Sequence, residues 1–123
     1  MKDLKISKEL LSEVLGIHTI LMNPIIEPGN NIGYLVYGRQ NTLEEVRRNH
    51  KQINIYEFAF RCKEWAYSTY GIMIQSYPYC GKSRADALKG LEVDEVFKEN
   101  TEVEAIIQAC EWILSESYLN ENR

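Results

Sequence analysis

Apolar residues recur with a helical period in three segments of the chain and run together, as in strands, in the segments between them. The clearest helical pattern covers residues 54–70, where Asn54 supplies a capping side chain and Gly71 a helix end. The apolar positions between them follow the 3.6-residue period of one helix face: Ile55, Phe58, Ala59, Cys62, Trp65 and Ala66. The pattern therefore predicts a helix over 54–70 with one buried face.

Two more segments have capped helical patterns. The first is Ile6–Gly16. Near its start, the hydroxyl of Ser7 can accept hydrogen bonds from the free amides of a first turn. At its end, Gly16 can adopt the left-handed conformation that commonly follows a helix. The last helix is predicted to begin at Thr101, which has capping-box spacing to Glu104. Its apolar stripe contains Val103, Ile106, Ile107, Cys110, Ile113 and Leu114. The chain ends, about 1–5 and 119–123, are predicted to fray.

The segments between the helices are rich in β-branched and apolar residues, which predicts four strands: Ile17–Ile26, Ile32–Tyr37, Ile72–Tyr77 and Leu91–Lys98. Glu27–Asn31 is a turn sequence that makes a hairpin of the first two strands, and Pro24 predicts a bulge or an edge. Pro78–Gly90 is predicted as a loop. The polar region 38–52 contributes at most a helical turn between Thr42 and Glu45.

The predicted order of elements is α-ββα-ββα. It indicates a single α+β domain over residues 1–123, in which two main helices pack on an antiparallel four-stranded sheet. The two ββα halves end in similar sequences, Cys62-Lys63-Glu64-Trp65 and Cys110-Glu111-Trp112. A duplication and two independent solutions to one packing problem both explain this similarity.

Composition limits the class of protein. The 123 residues are 45% hydrophobic and 26% charged, as in an ordinary globular domain. The three cysteines have no CxxC or Cys/His ligand spacing, which gives no support for a zinc site and is typical of reduced thiols in a cytoplasm. No signal peptide and no run of roughly 20 apolar residues is visible, so the sequence predicts no membrane segment. No cofactor is predicted.

The net charge of −4 argues against nucleic-acid binding, which needs a concentrated basic face. One short basic cluster exists, and its neighbours are Glu44 and Glu45; its members are Arg47, Arg48, His50 and Lys51. A solvated turn is the main interpretation of this cluster, and a nucleic-acid contact is the weaker alternative.

Gly81-Lys82-Ser83 matches the end of a phosphate-binding P-loop, in which backbone amides surround phosphate and a lysine neutralises it. The first glycine of that motif would stand at position 76, which is Ser76, and Pro78 has no amide to offer. A polar turn is therefore the first interpretation. A looser phosphate or nucleotide site at Lys82, Ser83 and Arg84 is kept as the alternative function.

Residues suited to acid–base catalysis are not arranged as a catalytic site. Glu64 and Glu111 lie at the polar boundary of their helices, where a solvated carboxylate is the ordinary outcome. His18 and His50 have no Ser, Cys or Asp partner at a recognisable spacing. The sequence therefore predicts a protein that is not an enzyme, and no catalytic residue is assigned.

A second face of the helix over 54–70 is the main functional candidate. Tyr56, Phe60, Lys63 and Tyr67 lie at i, i+4, i+7 and i+11, apart from the buried stripe. Aromatic side chains give large contact areas at low entropy cost and are enriched at interfaces. The alternative is a helix buried on both sides within its own domain. The interface interpretation predicts a homo-oligomer, such as a homodimer, or a complex with another protein.

The capped first helix Ser7–Gly16, the segment Ile53–Ala66 and the segment Glu102–Ile113 together resemble small uncharacterised proteins encoded by bacterial phages and prophages. The resemblance covers the three helices and not the strands or residues 38–52. It implies no activity and no functional residue. It implies only a context, a cytoplasmic accessory protein in an infected or lysogenic bacterium. The lack of a catalytic arrangement and the second face of the helix over 54–70 predict a non-enzymatic protein that acts by protein–protein interaction. In the phage context, a host defence or regulatory factor would be a plausible target of inhibition or modulation.

Overall fold

The computed structural model describes residues 6–16, 25–26, 34–37 and 51–121. Three helices lie within these ranges: α1 (Lys8–Leu15), α2 (Ile55–Tyr70) and α3 (Glu102–Glu121). The chain divides into two compact units, Lys2–Phe58 and Ala59–Arg123, and the boundary falls inside α2. The predicted α+β class is confirmed, whereas the prediction of one single domain stays a prediction.

The first unit contains α1 and a small antiparallel sheet. Helix α1 has the predicted ends, because the Ser7 hydroxyl accepts from the Leu10 amide at 3.0 Å and Gly16 has a φ of 69°. The sheet has the order β1-β2-β3, with β1 at Ile25–Ile26, β2 at Tyr34–Tyr37 and β3 at Lys51–Asn54. Ile25 pairs with Val36, which confirms that the first two predicted strands are antiparallel neighbours.

Helix α2 follows β3 without a loop. The Asn54 side-chain oxygen accepts from the Tyr56 amide at 2.8 Å, so the predicted capping residue satisfies a free donor of the first turn. At the other end, Gly71 has a φ of 69° and its amide donates to the Tyr67 carbonyl at 2.9 Å. Both ends agree with the prediction, because capping chemistry is local and visible in the sequence.

The second unit contains a three-stranded antiparallel meander, with β4 at Ile72–Tyr79, β5 at Lys82–Lys89 and β6 at Glu92–Glu99. The prediction of a loop over Pro78–Gly90 is wrong, since most of that segment is the central strand. Its composition (KSRADALK) lacks the β-branched and aromatic residues that mark strands. Pairing with a neighbour on each side and burial of two alanines override this weak local preference.

The predicted four-stranded sheet and the order α-ββα-ββα are not confirmed. The described strands form two three-stranded sheets, in the order α-βββα-βββα. The two additional strands are β5 and β3, and β3 lies at the end of a region whose polar composition gave no strand signal. Several sequence features lie outside the described residues: His18, Pro24, Glu27–Asn31, Thr42–Glu45, Arg47, Arg48 and His50.

Helices α2 and α3 lie on one face of the second sheet. Ser76, Ala85 and Phe97 form a single cross-strand row on that face. Ser76 accepts a hydrogen bond from Lys63 of α2, and the Phe97 ring lies 5.8 Å from the ring of Trp112 in α3. The core of this unit therefore lies between the sheet and the helices, and its buried side chains include Ile72, Ile74, Ala85, Ala87, Val103, Ile106, Ile107 and Cys110.

The predicted capping box begins α3. The Thr101 hydroxyl accepts from the Glu104 amide at 3.2 Å and donates to the Glu104 carboxylate at 2.8 Å, and the Thr101 carbonyl accepts the first helical bond, from Ala105. The helix then continues to Glu121, so its last turn includes residues that the sequence assigned to a frayed tail.

Replacing Thr101 with alanine is expected to lower the free energy of unfolding by about 1 kcal/mol, because the Glu104 amide loses its acceptor. Urea unfolding followed by tryptophan fluorescence measures this unit, since Trp65 and Trp112 both belong to it. Thr101→Ser keeps the hydroxyl and should retain most of the stability. Equal losses for the two variants would mean that the hydroxyl is not what stabilises the helix end.

Candidate interaction surfaces

Three aromatic side chains on α2 are exposed, at 61% for Tyr56, 62% for Phe60 and 65% for Tyr67. Their spacing places them within about 40° of one another around the helix axis. We call them the aromatic row. The face that the sequence assigned to the core is buried, with Phe58, Cys62 and Trp65 pointing inward. The alternative in which α2 is buried on both sides therefore does not describe these three side chains.

Lys63 lies between Phe60 and Tyr67 on the same face but differs from them in environment. Its side chain is half-buried, and its Nζ donates to the Ser76 hydroxyl of β4 at 2.8 Å. The bond directs the ammonium group toward the sheet. The lysine therefore contacts the edge strand β4 beside the aromatic row.

The Gly81-Lys82-Ser83 segment forms a hairpin turn and the start of β5. Cys80 and Gly81 have φ values of 48° and 79°, and two positive values in a row are the requirement of a type I′ turn. A P-loop needs a helix after its glycines, and here a strand follows. Alternation along β5 places Lys82 and Arg84 on one face and Ser83 on the other, so the three side chains do not converge on one ligand.

The face of the second sheet that points away from α2 and α3, which we call the open face, has a buried carboxylate at its centre. Asp86 is only 6% exposed. Its Oδ2 accepts from the Tyr77 hydroxyl at 2.8 Å, and its Oδ1 accepts from Arg84 Nε at 2.6 Å. Burial would raise the pKa of Asp86, but the hydrogen bonds from Arg84 and Tyr77 outweigh it and lower the pKa below its ordinary value.

Arg84 links this carboxylate to two tyrosine rings. Its guanidinium carbon lies 5.7 Å from the centroid of the Tyr77 ring and 5.3 Å from that of Tyr79, and Lys98 Nζ lies 4.9 Å from the Tyr79 centroid. These distances are within the range of cation–π attraction. The hydrogen bond to Asp86 raises the pKa values of both Arg84 and Tyr77.

Sequence reasoning missed this cluster because it assigned Pro78–Gly90 to a loop. The signal was present as Arg84 and Asp86 at i and i+2, which share a face in a strand, opposite Tyr77 and Tyr79 at the same spacing. Recognising the hairpin at Cys80-Gly81 would have brought these four side chains together.

Helices α2 and α3, which contain the two similar Cys…Glu-Trp sequences, contact each other at their cysteines. Cys110 Sγ of α3 lies 3.5 Å from the Cys62 carbonyl of α2, and both side chains are buried. Burial, with the neighbouring Cys110 adding to it, raises the pKa of the Cys62 thiol well above its ordinary value. The raised pKa keeps the Cys62 thiol protonated at neutral pH. The two buried cysteines pack where the helices touch.

The tryptophans of these motifs also belong to the core and its edge. The Trp65 ring meets Tyr70 edge-on at 5.5 Å, and Trp112 contacts Phe97. The Trp65 indole N–H is buried and has no acceptor among the described residues.

Acid–base and metal chemistry have little structural basis in the described residues. Glu64 is exposed and Glu111 is half-buried. Within residues 6–16, 25–26, 34–37 and 51–121, no group of three His, Cys, Asp or Glu side chains could hold a metal ion. None of the helices described has both the length and the apolar character of a membrane-spanning segment.

The fold and its surfaces define a small α+β protein with an exposed aromatic helix face. Protein-family models give no match to the chain, and neither curated proteins nor solved structures give one.

Proposed function

We propose that this chain is a non-enzymatic protein-binding module that acts through the aromatic row of α2, and that a second copy of the chain is its first partner. The exposure of Tyr56, Phe60 and Tyr67 on one helix face is the observation that supports the proposal. Large aromatic side chains are the residues that dominate binding energy when they are covered, and exposed apolar clusters mark binding sites.

A two-fold axis suits this surface. In a symmetric dimer the same patch contacts itself, so the surface must be self-complementary. The aromatic row has this property, because aromatic side chains pack favourably against one another. The ammonium group of Lys63 is held by Ser76, which keeps a positive charge from facing its own copy.

The proposed biological context is that of a phage or prophage accessory protein in a bacterial cytoplasm. This part rests on the sequence resemblance of the three helices. An exposed binding surface is compatible with inhibition or modulation of a host defence or regulatory factor. The phosphate-binding alternative at Lys82, Ser83 and Arg84 is disfavoured by the divergence of these side chains along β5.

Phe60→Asp is expected to weaken self-association roughly thirtyfold, because a charge replaces an aromatic side chain near the middle of the row. Size-exclusion chromatography with light scattering over a concentration series measures this change. Leu91→Asp is the matched control, since Leu91 is 99% exposed in a turn of the second sheet and should leave association unchanged.

Two results would contradict the proposal. One is that the protein stays monomeric at all concentrations and that no protein from a bacterial lysate binds it in a way that Phe60→Asp abolishes. The other is an equal loss of association in Leu91→Asp. Unfolding curves for both variants show whether a loss arises from the surface or from stability, because exposed positions should change stability only slightly.

A further inference from the structure

A second surface, separate from the aromatic row, lies on the open face of β4–β6. Register pairs place Tyr77, Arg84 and Lys98 in one cross-strand row on this face, and Tyr79 beside Lys82 in the next. Met73 and Val93, which share the face through their pairing with Leu88, are exposed. The open face therefore combines cations with exposed apolar side chains.

The cations on this face are close together without full neutralisation. Arg84 and Lys98 stand directly opposite one another on neighbouring strands, an arrangement that is destabilising for like charges. Asp86 neutralises Arg84, and Lys98 and Lys82 are exposed. The result is a local positive patch on a protein whose net charge is −4. A negatively charged partner would complement the charges of Lys82 and Lys98.

The tyrosine rings argue against a nucleic acid as this partner. A stacking platform for bases needs free ring faces. Arg84 lies over both tyrosine rings, and Lys98 also lies over Tyr79. Nucleic-acid binding also depends on the neutralisation of many phosphates by cations, and an acidic protein with few cations on this face neutralises few of them. The exposed Met73 and Val93 instead suit a partner that has apolar side chains between its acidic ones.

We propose that the open face of β4–β6 binds an acidic peptide segment of another protein, with Lys82 and Lys98 contacting carboxylates and with Met73 and Val93 contacting apolar side chains. Arg84 is paired with Asp86, so Lys82 and Lys98 supply the net positive charge of the site.

The test is selection from a displayed library of extended peptides in which half of the positions are Glu or Gln and half are apolar. Wild-type protein is expected to enrich Glu over Gln at neighbouring positions. The double variant Lys82→Glu with Lys98→Glu should lose this enrichment and should bind a selected peptide at least about tenfold more weakly. Raising the salt concentration should weaken wild-type binding.

Lys89→Glu is the matched control, because Lys89 is exposed on the same strand and alternation places it on the opposite face. It should behave as wild type. Peptides recovered no better than on bare beads, or an equal loss in Lys89→Glu, would overturn the proposal. So would oligo(dT) binding that depends on Lys82 and Lys98, which would indicate a nucleic acid. A change of oligomeric state in the double variant would indicate a second copy instead.

Discussion

Ile107→Ala is expected to lower the free energy of unfolding of the second unit by about 3 kcal/mol. Ile107 is fully buried in α3, which packs on all three strands of the second sheet. Truncation removes buried methyl and methylene groups and leaves a cavity. The helix cannot easily move to close this cavity, because it is already packed on three strands. No other single truncation discussed for this protein has an expected effect as large.

The measurement is a urea titration followed by the fluorescence of Trp65 and Trp112. Gln108→Ala is the control: Gln108 is the next residue on the same helix and is exposed, so its replacement should change stability by less than about 0.5 kcal/mol. Similar effects of the two substitutions would mean that the Ile107 side chain does not contribute to the core of this unit.

Asp86→Ala is expected to destabilise the second unit by about 2 kcal/mol, because it leaves the Arg84 guanidinium and the Tyr77 hydroxyl without their acceptor in a half-buried setting. Asp86→Asn keeps the size of the side chain and one oxygen acceptor, and should retain part of this stability. An Asp86→Ala protein as stable as wild type would show that the carboxylate is not needed on the open face.

The pH dependence of this effect has a definite sign. The folded-state pKa of Asp86 is lowered from its ordinary value of 3.8, so its contribution is present above that value and is lost as the pH falls through the folded-state pKa. The stability difference between wild type and Asp86→Asn should therefore narrow as the pH falls from about 5 towards 3. A difference that widens over this range would contradict the assignment.

The helices could be predicted from the sequence because their signals are local. Ser7, Asn54 and Thr101 cap within three residues of their own position, and the apolar stripe of α2 is buried at the positions that its period indicates. The aromatic row was predicted from the same period, and the three aromatic side chains are exposed.

The second sheet was only partly predictable, because β5 is a strand through its pairing with β4 and β6 and not through its own composition. Ala85 and Ala87 have no strand preference of their own, and they fit because small side chains allow the helices to approach the sheet. The Asp86 cluster could not be found without this strand, since its residues come together only through the pairing of β4, β5 and β6. The Lys63–Ser76 bond is a tertiary contact of the same kind.

Hydroxyl-radical footprinting of side chains can show whether a protein partner covers the aromatic row in the cell. Oxidation of Phe60 and Tyr67 in intact cells that contain the protein is compared with that of the dilute purified protein, with the exposed Leu91 as internal reference. If the row is covered, oxidation of Phe60 and Tyr67 should fall severalfold in the cell while that of Leu91 is unchanged. Equal oxidation of Phe60 and Tyr67 in the two samples would contradict it.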